Sequence, residues 1–303
     1  MRNNEPNINT SLNRYTKLTP KRFVKKVCHK ILHLIRPNLT AKLASDSRRV
    51  VVPRIETYLA NGCNLKCHMC SHFSPKRKGI TATDNLKLWM DTWKVKLLPR
   101  TVALLGGEPL LNKDIAEIVR HVKKSWVNTQ IEIVTNGILL RNLSDLDFDA
   151  IKEVNAYFVI SQHTSEAELV KKIIEGIKRL EAKKIRFDVR PSIREWVNYH
   201  QIGQNGEPLP YQSDPMMAWQ QCIPKECVTL WDNNIYLCSI LANVQQAYQE
   251  GVIGNEWKKA LDYKPLTPRS SASDIISHLN AKSVPECSIC PAKYDLVQLP
   301  ETC

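Results

Sequence analysis

Arg54-Ile55-Glu56-Thr57-Tyr58-Leu59 is followed within a few residues by Cys63-Asn64-Leu65-Lys66-Cys67-His68-Met69-Cys70, so a strand-like segment runs into three thiols spaced over eight residues. The order recurs downstream. Residues 101–105 are a second strand candidate and precede Gly106-Gly107-Glu108-Pro109. Residues 131–135 precede Asn136-Gly137, residues 156–161 end at Ser161 before Gln162-His163, and residues 185–189 precede Arg190. Helical patterns lie between them, over residues 84–98, from Asn112 as N-cap to about residue 124, and from Ser165 and Glu168 in capping-box spacing. In the last, Leu169, Ile173, Ile174, Ile177 and Leu180 point inward. Strand-then-helix units in series imply a parallel sheet covered by helices, as a barrel or a doubly wound sheet. In such a barrel, ligands gather at the carboxyl ends of the strands, and here five consecutive ends carry polar or glycine-rich chemistry. A sixth strand is expected from residues 196–200, ahead of a Gly- and Pro-rich linker over residues 203–215.

Three thiolates in one loop can hold three irons of a four-iron cluster and leave the fourth iron open. An open position separates a catalytic metal centre from a structural one. The alternative is a zinc site completed by His68 or His72.

Cys63, Cys67 and Cys70 in CxxxCxxC spacing, together with Gly106-Gly107-Glu108-Pro109, resemble the radical S-adenosylmethionine superfamily over roughly residues 51–200. The resemblance implies an α/β fold, a partial (β/α)6 TIM-like barrel with a small loop-rich C-terminal domain. It also implies a [4Fe-4S] cluster whose unique iron binds S-adenosylmethionine, and reductive cleavage to a 5'-deoxyadenosyl radical that takes hydrogen from substrate. Gly106 and Gly107 would let the backbone approach the cofactor's amino group, with Glu108 as its partner beside Pro109. Asn136, Ser161 and Gln162 stand at ribose and carboxylate positions, and Arg190 is matched to a carboxylate. Met69 takes the place of an aromatic residue beside the adenine. His163 is the candidate acid or base.

Cys222, Asn233 and Cys238 are similar to the family's CX9-15GX4C element, with Asn in place of Gly. With Cys287 and Cys290 they imply a second, auxiliary [4Fe-4S] cluster of the twitch type, and Cys227 is the alternative to Cys222. A zinc ribbon of the same four cysteines is the other reading.

The formal charge of +13 first suggests nucleic acid, but its distribution argues otherwise. Residues 1–54 hold 13 Lys and Arg against Glu5 and Asp46, a balance of +11, leaving +2 for the rest. Residues 20–36 read as a basic amphipathic helix, either packed on the barrel or docked on an anionic membrane or acidic partner. The expected division is 1–50, a basic extension; 51–215, the radical core; and 216–303, the auxiliary-cluster domain. No secretory signal is read, so a cytoplasmic protein is expected, with membrane association through residues 20–36 as the alternative to packing on the barrel. Its partners would be a small-molecule substrate or peptide and a reductase, flavodoxin or ferredoxin, with no nucleic acid. Ser71-His72-Phe73-Ser74-Pro75 resembles a bacterial subgroup of the superfamily associated with glycan or secondary-metabolite pathways, and that resemblance implies a carbohydrate-like or other polar small molecule as substrate. The rivals are a peptide-maturing enzyme and, in another class, a zinc-stabilised nucleic-acid-binding protein.

Overall fold

Val50–Ala60, the strand that leads into the first thiol loop, is the axis of the fold and is labelled β1. In this computed structural model, residues 12, 42–44, 49–194, 196–225, 227–294 and 296–299 are described. After β1 come α1 (Thr83–Trp93), β2 (Leu97–Gly106), α2 (Ile115–Ser125), β3 (Gln130–Thr135), α3 (Asp145–Glu153), β4 (Tyr157–Ser161), α4 (Ala167–Lys183) and β5 (Phe187–Arg190). Further on are α5 (Pro215–Gln221), β6 (Val228–Trp231), β7 (Asn234–Tyr236), α6 (Ser239–Gln249) and α7 (Ala272–Leu279). The main sheet runs β7-β6-β1-β2-β3-β4-β5, with the strands from β6 to β5 all parallel and β7 antiparallel at the edge. The architecture is therefore the α/β class expected, with a helix crossing between successive strands from β1 to β5.

The two faces of the sheet are packed differently. On one, Ile55, Leu59, Val102, Leu104, Ile131, Ile133, Phe158 and Ile160 are buried under the helices. Ile118, Val119 and Val122 of α2 and Ile173, Ile177 and Leu180 of α4 meet them at helical spacing. On the other, Tyr58, Ala103 and Leu105 pack against Ile240, Leu241 and Val244 of α6. C-terminal chain thus roofs the face that carries Arg54, Glu56 and Tyr58.

Several local expectations are corrected. Trp196–Val197 is a two-residue strand that pairs with Leu296–Val297 in a separate sheet, and the sixth parallel strand is β6, which lies beside β1 with Val228 opposite Ile55. The hairpin of β6 and β7 therefore extends the sheet of the core. Residues 97 and 98 belong to β2 and not to the preceding helix. Asn112 does not cap α2; its side chain accepts from the backbone N–H of Asp114 and donates to the carbonyls of Leu59 and Thr81, tying the loop to β1. No side-chain cap forms at α4, whose N-cap is Glu166, so the Ser165–Glu168 box is not made. A capping box is made instead at α3, between Ser144 and Asp147.

The hairpin turn bears out its residue chemistry, since Asp232 and Asn233 take left-handed φ values of 47° and 56°. Asn tolerates that region better than most residues, which explains its use where glycine is usual. No helix among the described residues is long and apolar enough to cross a membrane. The expected helix over residues 20–36 lies outside the described residues.

Candidate functional site

Strand β1 ends in a tight loop. Met69 and Phe73 hold left-handed φ values of 51° and 54°, so the chain folds back on itself around Cys70. The N–H of Leu65 reaches the Cys63 sulfur at 3.4 Å. Asn136 at the end of β3 lies 3.7 Å from the same Cys63 sulfur through Nδ2. Burial pushes the Cys63 thiol up to about 12, so without a cation these thiols stay protonated.

The glycines of residues 106 and 107 serve this loop directly. A Cβ on Gly106 would stand 2.2 Å from the Ala60 carbonyl oxygen, and one on Gly107 would stand 2.2 Å from that of Gly62. Gly107 N–H donates to Ala60 O at 2.8 Å and Glu108 N–H to Gly62 O at 3.0 Å. The close approach these glycines permit is thus to the chain entering Cys63, in addition to any approach to a cofactor.

A cavity of about 400 Å³ opens over the strand ends, within the range of small-molecule sites. Cys63, Cys67, Cys70, Gly106, Gly107, Asn136, Ser161, His163 and Arg190 all line it. The remaining expectations fall elsewhere. Glu108 is fully buried; its carboxylate accepts from Leu110 N–H, Thr135 Oγ1 and Asn136 N–H, so it braces the loop and does not face the cavity. Burial raises its carboxyl to about 7 against those hydrogen bonds. Strand alternation turns Gln162 away, and its amide donates to the Thr164 carbonyl. Pro109 starts a buried 3-10 turn, and Met69 is not a lining residue. His163 places Nδ1 3.7 Å from the Cys67 sulfur, with Trp196 edge-on at 5.1 Å. Burial lowers its pKa to about 4, so it is neutral near pH 7 and is not an imidazolium acid.

The cavity also has a polar floor that the motifs did not reveal. Arg54 Nε donates to Glu56 at 3.0 Å, and the same guanidinium pairs with Glu132, which accepts from the Tyr157 hydroxyl. Burial opposes the Arg54 charge, but Glu56 and Glu132 outweigh it and hold the guanidinium ionised. The available signal was the alternation of Arg54 and Glu56 with Ile55 and Thr57, which marks a polar inner face on an otherwise apolar strand. The segment after β5 supplies further lining residues, Tyr199, Ile223, Cys227 and Ile240.

The second thiol set forms a different site. Cys222, Cys238, Cys287 and Cys290 line one small cavity of about 40 Å³ with Ala218, Leu237, Leu241 and Ile289. Cys238 is the N-cap of α6, so that helix starts at the edge of this cavity. Cys227 is absent from this lining and lines the first cavity together with Glu56. The geometry therefore groups Cys222, and not Cys227, with the other three. Among the described residues, no three His, Cys, Asp or Glu side chains stand at single-ion distances, and His68 is exposed.

Residues 57–185 match the model of the Radical SAM superfamily. Radical SAM domains use a [4Fe-4S] cluster and S-adenosylmethionine. The residues of this site fit that pair of groups, with three thiols in one loop, the Leu65 N–H at the Cys63 sulfur and an adjoining cavity with a polar floor. A probable GTP 3',8-cyclase of Methanocaldococcus jannaschii is 33% identical over 141 residues, 40% of this chain and 43% of that one. The GTP 3',8-cyclase of Clostridium acetobutylicum is 35% identical over 117 residues, 37% of this chain and 35% of the other. The chain thus spans less than half the length of these relatives. The solved structure of BtrN in complex with AdoMet and 2-DOIA is 19% identical, covering 69% of this chain and 80% of that chain with a TM-score of 0.42. A score of that size carries no argument, and the fold assignment rests on the parallel sheet and the family match.

Proposed function

We propose that the chain is a radical SAM enzyme acting on a polar small molecule held between the barrel and the C-terminal segment, with an auxiliary [4Fe-4S] cluster on Cys222, Cys238, Cys287 and Cys290. The observation that carries this reading is the shared cavity, in which Cys63, Cys67 and Cys70 meet Arg54, Glu56 and Arg190. When bound, the cluster and S-adenosylmethionine supply one-electron reduction and hydrogen-atom abstraction. The chain's own residues position them. Cys63, Cys67 and Cys70 hold three irons, and the Gly106-Gly107 backbone keeps that loop in register. Asn136 and Ser161 offer hydrogen bonds to the cofactor, and Arg190 offers a guanidinium to a carboxylate. Tyr199, Ile223 and Ile240 supply apolar surface to the cavity wall.

The substrate class follows from the floor. Arg54 is already paired with Glu56 and Glu132, so Arg190 is the other basic side chain among the lining residues. That balance suits a neutral or singly charged hydroxyl- or amine-bearing molecule, such as a carbohydrate derivative, better than a triphosphate, which calls for several free cations. A nucleotide cyclisation is the second reading, favoured by the GTP 3',8-cyclase names of the relatives. The family match ends at residue 185, before Tyr199, Ile223 and Cys227, so the substrate wall lies outside it.

The test is anaerobic reconstitution followed by dithionite and S-adenosylmethionine. Release of 5'-deoxyadenosine is expected, with deuterium carried into it from a labelled aminosugar-type substrate. A protein that binds two zinc ions, stays unbleached by dithionite and releases no 5'-deoxyadenosine defeats the proposal. Deuterium transfer from GTP and not from the sugar selects the second reading.

A further inference from the structure

Arg77 follows the first thiol loop and is buried, with a side chain 1% exposed. Its Nε donates to Glu250 Oε2 at 2.9 Å, and one terminal nitrogen donates to Glu250 Oε1 at 2.8 Å and Gln246 Oε1 at 2.6 Å. The other donates to Asn243 Oδ1 at 3.4 Å and to the carbonyl of His72, inside the loop itself, at 3.2 Å. Asn243 and Gln246 lie on α6, and Glu250 is its C-cap. Two more bonds fasten the same surfaces. Asn61 donates to Glu250 at 2.9 Å, and Asn243 donates to the buried Tyr58 hydroxyl at 3.0 Å.

The other end of α6 belongs to the second thiol set. Cys238 is its N-cap and lines the four-thiol cavity, while Ser239 and Ile240 line the first cavity. One helix therefore starts on a thiol of the closed set and ends on the arginine of the open set. A buried guanidinium separated from its carboxylate leaves an uncompensated charge, so the loop must follow the helix when the helix moves.

We propose that α6 and Arg77 couple the two sites, so that filling the four-thiol site fixes the helix and, through Arg77, sets the Cys63–Cys70 loop in the geometry that binds S-adenosylmethionine. This rests on the cofactor reading given under Proposed function. Arg77 is a positioning residue in it, since it reaches the thiols only through His72 and the loop backbone. The coupling is reciprocal, because two sites that bias one element bias each other equally.

The experiment is a double-mutant cycle on anaerobically reconstituted full-length protein, reading the Kd for S-adenosylmethionine and the change it makes in the electron paramagnetic resonance spectrum of the reduced N-terminal cluster. Cys290→Ala, Arg77→Met and the two together are compared, with iron content measured in each. Each single change is expected to weaken binding about 5-fold or more and to alter the spectrum, with the double variant no weaker than the worse single one. Effects that multiply, or a Kd in Cys290→Ala within about twofold of wild type, overturn the coupling. A merely structural Arg77 would lower the melting temperature and still give multiplying effects. Glu250→Gln, which keeps the shape of the site, replaces Arg77→Met in the cycle if that variant does not fold. Wild-type protein holding no iron in the first site defeats the cofactor reading itself; iron there with independent sites defeats only the coupling.

Discussion

The two thiol sites use the same side chain for opposite ends. The first sets three cysteines in a loop lining a cavity of about 400 Å³ with a polar floor, beside the ends of four parallel strands. The second encloses four in a largely apolar cavity of about 40 Å³ framed by α5, the start of α6 and the turn Pro285–Ile289. Three thiols beside a large cavity leave room for an exchangeable ligand; four thiols around a small apolar one supply a full set of ligands by themselves. The contrast teaches that ligand count and the volume beside it, taken together, separate a reacting centre from one that holds structure or passes electrons.

The largest effect expected from that contrast is at Cys67. Cys67→Ala should bring 5'-deoxyadenosine release down to background while the second site keeps its iron, about four atoms per chain out of about eight. Persistent release would transfer the reaction to the other site. Next, Cys290→Ala should remove the second site's iron, whereas Cys227→Ser should retain it and instead raise the KM for substrate. Loss of iron in Cys227→Ser, measured against protein by colorimetry, would undo the grouping of the cysteines. Glu108→Gln puts an amide donor against N–H donors in a buried pocket and should cost about 1–3 kcal/mol in chemical denaturation of the iron-free protein. Unchanged stability with lost affinity for S-adenosylmethionine would make Glu108 a ligand of the cofactor and not a brace. The smallest effect is at the hairpin. Asn233→Gly relieves a left-handed residue and should leave stability within about 1 kcal/mol of wild type, since easier turn geometry is offset by a freer unfolded chain.

What the sequence disclosed was what is local. Cys63, Cys67 and Cys70 sit in one loop, and their spacing survives any arrangement of the rest. The five strand ends were readable because each strand is followed at once by its own polar residues. The sixth strand was misassigned because β6 joins β1 across a large stretch of chain, and such pairing leaves no mark in the neighbouring residues. Glu108 was misdirected for a related reason. Its partners Thr135 and Asn136 come from β3, and only the folded sheet brings them within reach. Arg77 carried no motif at all, since its meaning depends on Gln246 and Glu250 of a distant helix.

The pairing of β6 with β1 also orders events in time. As the chain leaves the ribosome, the edge of β1 that receives Val228, Thr229 and Leu230 stays unpaired there until those residues emerge. An open edge on a buried strand is a template for wrong partners. Long-range closure of this kind slows folding and lengthens the exposure. Expression of a fragment ending near residue 215 should therefore yield inclusion bodies. A rearranged gene that encodes residues 216–303 ahead of β1 would shorten the wait, and its soluble yield would report how far that edge governs the fate of the nascent chain.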